Sequence, residues 1–329
     1  MGLDPEKVRR ILVIRTDRFG EFILNTPVIR ALKHRFPKAY LCVMAAPVSR
    51  ELIEGVSLVD EVMVYDEGSQ RGFFGGLRLA AALRKQKFDL VLILNPKKEF
   101  NIITFLAGIP LRVGYDRKWG FLLTRRIRDK KSCGIRHEVE CNLDLARSIG
   151  ADTRDRSLFV YLGKEDLNSV DSLLRQQGVE KAKAIVAIHP WTSDPIKQWP
   201  LEKFLDLSSR LLKDNSCKVV IIGGKEEAGQ GEDFSRQVPG LVNLTGRLTL
   251  RQSAALLKKC RLLISNDSGP VHLSSAVGTP VIAIFRNDIP GKSAKRWGPW
   301  GQGHAVIEGA DITKISVEDV FFIARNKLI

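Results

Sequence analysis

Eight short apolar runs recur along the chain with helical patterns between them: ILVIR at 11–15, LCVMA at 41–45, EVMVY at 61–65, DLVLIL at 89–94, AIVAIH at 184–189, KVVIIG at 218–223, RLLIS at 261–265 and PVIAIF at 280–285. Runs that are apolar at nearly every position are buried on both faces, which means parallel sheet. Between them lie helix-period stretches at 23–36, 77–86, 139–150, 201–214 and 250–260. This βαβα order specifies an α/β, doubly wound fold.

The runs fall into two sets, and 329 residues is about twice a typical domain. Two Rossmann-like domains are therefore expected, 1–165 and 166–329. The polar stretch 150–183 between the sets reads as one strand, one helix and a connection. A last helix at about 315–327 is expected to pack back on the N-terminal domain. Ligands in such folds bind beyond the carboxyl ends of the strands, so the expected site is the cleft between the halves. Neither half carries G-x-G-x-x-G after its first strand, which disfavours a dinucleotide site.

With 44% hydrophobic and 27% charged residues the composition is that of a chain with packed cores, not a disordered one. The longest clean apolar runs, such as LVLIL at 90–94, are far short of the roughly 20 residues that cross a bilayer. The opening residues place an acid and a proline before a four-residue apolar run, unlike a secretory signal. Five cysteines with no C-x-x-C spacing suggest neither a disulfide framework nor a zinc site, and a reducing cytoplasm is expected. The net charge of +15 calls for a strongly negative partner. Arg112, Arg117, Lys118, Arg125, Arg126, Arg128, Lys130, Lys131 and Arg136 crowd into 25 residues, a run that is most often a solvated face.

Three strand-to-helix junctions carry the candidate chemistry. In RTDRFGEFILNTP (15–27), Gly20 allows a tight turn and Glu21 falls near a helix start, where the positive helix end would hold its carboxylate ionised and able to accept a proton. On spacing alone, a carboxylate that merely complements the helix dipole is the commoner reading. In HPWTSDPIKQWPLEKF (189–204), a rigid loop aims Lys197 near the strand ends, as suits a phosphate; a surface lysine beside a core Trp199 is as common. In SNDSGPVHLSSAVGTPVIAIF (265–285), Asp267 or Ser268 can cap a helix whose N–H groups form an anion site, with Gly269 allowing close approach. A plain N-cap is the alternative. His272, one turn further, is more often a core histidine than a base.

Together these junctions resemble glycosyltransferase family nine, the heptosyltransferases that add ADP-activated heptose to the lipopolysaccharide inner core. ILVIRTDRFGEFILNTPVIRALKHRFPKA looks like the family's N-terminal signature, and RVGYDRKWGFLLTRR with RHEVECNLDLARSIG resembles its middle. WTSDPIKQWPLEKF and VNLTGRLTLRQSAALLKKCRLLISNDSGPVHLSSAVGTPVIAIF are similar to its donor-side motifs, so the likeness runs from about 11 to about 300. It implies a GT-B fold whose N-terminal domain takes the acceptor and whose C-terminal domain takes the nucleotide sugar. Glu21 falls where the family has a catalytic aspartate and Lys197 where it has a phosphate-binding lysine. Asp267, Ser268 and Gly269, with His272, fall on the donor side. Glutamate in place of aspartate is a departure: the added methylene moves the base about 1 Å outward.

The implied reaction is an inverting single displacement with one carboxylate base. No D-x-D occurs in the sequence, so no metal cofactor is expected, and Lys197 with the helix start would stabilise the leaving ADP. The acceptor side is expected to draw on Arg18, Lys97, Lys98, Arg117, Lys118, Arg125 and Arg126. The expected partners are an ADP-sugar and an anionic lipid-linked acceptor at the cytoplasmic face of the inner membrane, held peripherally by a monomer. Rival readings are a transferase with another nucleotide sugar or glycan acceptor, or a nucleotide-sugar epimerase. A nucleic-acid-binding protein would explain the charge, but no RNP, KH or zinc-finger pattern occurs.

Overall fold

The computed structural model describes residues 4–214 and 217–328, and the chain divides into two compact units, Met1–Tyr161 and Leu162–Ile329. The first contains, in order, β1 (Arg10–Arg15), α1 (Phe19–Ile23), α2 (Thr26–Arg35), β2 (Tyr40–Ala45), α3 (Pro47–Arg50), β3 (Glu61–Val64), α4 (Glu67–Gln70), α5 (Phe73–Gln86), β4 (Leu90–Ile93), α6 (Lys98–Leu106), β5 (Leu111–Tyr115), β6 (Arg125–Ile127) and α7 (Glu138–Arg147). Its strands form one sheet in the order β3-β2-β1-β4-β5-β6, with every pairing parallel. The β1-to-β2 and β3-to-β4 crossovers run in opposite directions across the sheet, which puts α2 with α7 on one face and α5 with α6 on the other. On the latter face Leu79 and Leu83 of α5 and Phe100 and Ile103 of α6 cover Leu12, Ile14, Val91 and Ile93. Each such fully buried side chain is worth about 1.5–3 kcal/mol.

The second unit contains α8 (Lys164–Gln176), β7 (Ile185–His189), α9 (Leu201–Lys213), β8 (Lys218–Ile221), α10 (Ala228–Gln237), β9 (Val242–Asn243), α11 (Leu250–Lys259), β10 (Leu262–Asn266), α12 (Gly269–Ala276), β11 (Val281–Arg286), α13 (Ala294–Trp297), β12 (Ala305–Gly309) and α14 (Val317–Leu328). Its sheet, also parallel throughout, has the order β12-β11-β10-β7-β8-β9. The protein is thus an α/β molecule of two Rossmann-like units.

All eight apolar runs are strands, and four further strands lie where the sequence is short or polar. One expectation changes. The stretch 150–183 holds α8 but no strand: residues 158–162 belong to neither sheet, and Tyr161 N–H donates to the Leu52 carbonyl at 2.8 Å. The pattern at 23–36 forms two helices, α1 and α2, with Pro27 in the first turn of α2, where its missing N–H breaks no ladder, and with the Asn25 side chain donating to the Glu21 carbonyl at 2.6 Å. The last helix, α14, packs on α9, β10 and β11, with Val317, Val320 and Ala324 closing the core of its own unit. Among the described residues no helix is long and apolar enough to cross a membrane.

Candidate active site

In each sheet the strand order reverses at one place, between β1 and β4 in the first unit and between β7 and β10 in the second. Diverging crossovers open a crevice there at the carboxyl ends of the strands, the ligand position of open α/β sheets. The three candidate junctions follow β1, β7 and β10, so all of them lie at a switch point.

In the first unit Arg15, the last residue of β1, is buried and spans the reversal by donating Nη1 to the Leu94 carbonyl at 3.2 Å. Its Nε donates to Asp17 Oδ1 at 2.6 Å and its Nη2 to Glu21 Oε2 at 3.3 Å. Beneath them is a second ion pair. Lys131 Nζ lies 2.5 Å from Glu138 Oε1, an oxygen that is also 3.7 Å from Arg15 Nη1. Lys131 further donates to Asn142 Oδ1 at 3.0 Å and stands 4.5 Å from the centre of the Tyr115 ring. Glu138 opens α7, whose first turn is capped by His137 Nδ1 accepting from Val139 N–H at 3.2 Å. Two cations and three carboxylates thus compensate one another where solvent is scarce.

This cluster reverses one expectation. Burial raises the Glu21 pKa to about 7, reinforced by a hydrogen bond with Asp17 and by its charge, while Arg15 and Arg18 pull the other way. Burial also disfavours ionised Asp17, but the Arg15 charge prevails and Asp17 is held low. The helix end was expected to keep Glu21 ionised; α1 has only five residues, and desolvation with an adjacent carboxylate outweighs it. The outcome is a carboxylate that titrates near neutrality, as a general base should.

In the second unit the loop after β7 is fixed by Trp199, fully buried, whose backbone N–H donates to Asn266 Oδ1 at 3.0 Å and whose indole N–H donates to the Ile315 carbonyl at 3.1 Å. Asn266 in turn donates to the Pro190 carbonyl at 2.6 Å, tying β10 to β7. Held in this way, Lys197 Nζ meets Asp267 Oδ2 at 2.5 Å, with side chains 18% and 8% exposed. Ser268 occupies the N-cap position of α12, but its side chain makes no cap bond. Its hydroxyl instead lies 3.2 Å from His189 Nδ1 and 2.9 Å from Ser265 Oγ. Burial drops the His189 pKa to about 4, so the ring is neutral. Gly269 begins the helix, and His272 is buried one turn in. A pocket of about 560 Å³ opens beside β9 and the start of α10, with Lys225, Thr245, Gly246 and Arg247 in its wall. Among the described residues no group of three or more His, Cys, Asp or Glu could hold a metal ion.

The proposed acceptor residues are less uniform. Arg18 is exposed at the start of α1, Lys97 and Lys98 begin α6 just beyond β4, and Arg117 and Lys118 follow β5, all at the carboxyl end of the sheet. Arg125 and Arg126 lie elsewhere, in edge strand β6 level with Val113 and Gly114. Nor is the basic run one solvated face. Lys131 is buried, Arg117 pairs with Asp129 at 2.9 Å and Arg126 with Asp116 at 3.7 Å; outside the run, Lys97 pairs with Glu67 at 3.0 Å. Arg125 donates to the Ser148 carbonyl. Sequence reasoning missed Arg15, Asp17 and Glu138 at the first switch point and His189 and Asn266 at the second. A polar or charged residue closing an otherwise apolar strand, as at Arg15, His189 and Asn266, was the available signal.

The chain is similar to the lipopolysaccharide heptosyltransferase 2 of Salmonella typhimurium, 26% identical over 297 residues, covering 85% of this chain and 84% of that one. Among solved structures it resembles a glycosyl transferase family 9 protein of Veillonella parvula, with a TM-score of 0.86 at 22% identity over 97% of both chains. It also resembles the Escherichia coli ADP-heptose lipopolysaccharide heptosyltransferase II, with a TM-score of 0.80 at 22% identity over 97% of this chain and 98% of that one. These likenesses give the fold as GT-B type. The model of glycosyltransferase family 9 (heptosyltransferase) matches residues 76–318, and the protein belongs to that family of transferases.

Proposed function

We propose that the protein is an inverting, metal-independent heptosyltransferase that moves heptose from ADP-heptose to the lipopolysaccharide inner core, on Kdo-lipid A or its heptosylated form. It would act as a monomer held peripherally at the cytoplasmic face of the inner membrane. The first unit takes the acceptor and the second the donor. The observation that carries this reading is the division of chemistry between the switch points: a carboxylate titrating near neutrality at one, and a lysine beside a helix start at the other. The likeness to lipopolysaccharide heptosyltransferases supports the substrate class.

In the reaction the acceptor hydroxyl attacks the anomeric carbon, Glu21 takes the hydroxyl proton, and the bond to the diphosphate oxygen breaks with its electron pair leaving on ADP. Lys197 exchanges part of its contact with Asp267 for the diphosphate, and the start of α12 adds backbone dipoles aimed at the charge that develops. The longer reach of Glu21 favours a second reading within the same chemistry, in which a different glycan acceptor is used. Incubation with ADP-heptose and defined truncated core lipids, followed by product mass, tests both. One added heptose on an inner-core lipid is expected. Release of free sugar without transfer points to an epimerase or hydrolase instead.

A further inference from the structure

The loop that leaves β5 presents two aromatic side chains to solvent against the backbone's preference. Lys118 and Trp119 are consecutive residues in the left-handed region, φ 47° and 71°, where any side chain with a Cβ is strained; such strain persists only when the surroundings impose it. Here they do: Asn101, buried in α6, donates Nδ2 to the Lys118 carbonyl at 2.9 Å. The outcome is Trp119 at 53% and Phe121 at 66% exposure, with ring centres 5.7 Å apart. Lys118, Arg128 and Lys130, within eleven residues of the rings in sequence, are exposed, while the acids of the same stretch, Asp116 and Asp129, are matched by Arg126 and Arg117.

The same composition recurs on the same layer of the unit. At the start of α5, Phe73 and Phe74 are 74% and 75% exposed, with ring centres 5.5 Å apart and with Arg71 and Arg78 exposed beside them. α6 touches both the start of this helix and the turn at 120–122: a Cβ on Gly76 would stand 3.6 Å from Ile103. The unit as a whole holds 29 Lys and Arg against 19 Asp and Glu, so +10 of the +15 resides in residues 1–161. Aromatic rings projecting from a cationic surface match the headgroup layer of a bilayer, where rings sit at the interface and cations meet lipid phosphates.

We propose that Trp119 and Phe121, with Phe73 and Phe74, form a docking surface for an anionic bilayer. The four rings enter the headgroup layer, and the surrounding lysines and arginines contact anionic lipid. This deepens the reading of a lipid-borne acceptor, and rests on it, by naming the residues that bring the enzyme to the leaflet; they are not the arginines of β6.

The test is sedimentation of the full-length protein with phosphatidylglycerol-containing vesicles and with pure phosphatidylcholine vesicles, both free of lipopolysaccharide. Binding to the anionic vesicles is expected, weakened about tenfold or more by W119A/F121A and further by F73A/F74A. R128E/K130E should weaken it about fivefold per charge at low salt, less as salt rises. Transfer to a soluble, delipidated core oligosaccharide should be unchanged in W119A/F121A, as should its melting temperature. Equal binding to both vesicle types, or wild-type binding by W119A/F121A, overturns the proposal. So does a raised KM for the delipidated acceptor, which makes the rings a sugar platform, or a dimer that W119A/F121A dissociates while vesicle binding stands. Vesicle binding needs no acceptor, so failure of sugar transfer and failure of docking are read separately.

Discussion

Glu21 is pulled by two opposing influences: burial and the Asp17 carboxylate favour its protonated form, while Arg15 favours the ionised one. The first pair wins and the pKa rises from 4.5 to about 7. A base must be deprotonated to work, so turnover should climb through about pH 7 and level above it, as a kcat–pH profile will read. E21Q should lower kcat by roughly 10²-fold or more while ADP affinity barely changes; near-normal turnover would remove Glu21 from the reaction. The same shift carries a stability signature. A carboxyl that holds its proton more tightly when folded adds stability that is fully present below about pH 4.5 and lost as pH rises through about 7. E21Q should therefore melt above the wild type at pH 8 and level with it at pH 4. On the donor side K197A should weaken ADP binding and slow transfer together, since the leaving group gains charge as its bond breaks. EDTA should leave transfer unchanged; its abolition, with rescue by magnesium, would sink the metal-free reading.

At the scale of elements, what the sequence made legible was whatever lies within one strand-helix junction. The buried strands announced themselves, and Glu21, Lys197, Asp267, Ser268 and Gly269 do reach the switch points. Strands β6 (RRI) and β9 (VN) are too short and polar to read, and α10, AGQGEDFSRQ, has two glycines and few apolar positions. Partners distant in sequence were invisible as well. Arg15 meets Glu138 across more than a hundred residues, and that contact turns Lys131 from one of a basic run into a buried ion. Lys131 pins α7 to the rest of the cluster through Glu138 and Asn142, so its loss should be felt as stability. K131M should destabilise the unit by about 3 kcal/mol in chemical denaturation, because one buried partner goes while the other stays charged. K131M/E138Q should recover part of that loss; a double variant no better than the single would mean that Lys131 contributes by packing, not by charge.

Taken whole, the molecule is two units of the same architecture, each closing its own core around its own sheet, and the proposed function places donor chemistry in the second. Trp199 and Phe204, beside the Lys197 loop, belong to the second core together with Val317, Val320 and Ala324 of α14, so on the proposed reading the Lys197 side of the donor site is held by the second unit's own packing. Binding to a preformed site should then stabilise that unit by mass action, by about 2.7 kcal/mol when ADP is at 100 times its Kd. Hydrogen exchange locates the effect. With ADP at that excess, the amides gaining protection should lie in residues 162–329, first in the loop 190–199 and the start of α12, and K197A should diminish the gain in parallel with its loss of affinity. Protection centred on residues 1–161 would reverse the assignment of donor and acceptor between the units, and with it the roles given to Lys197 and Glu21.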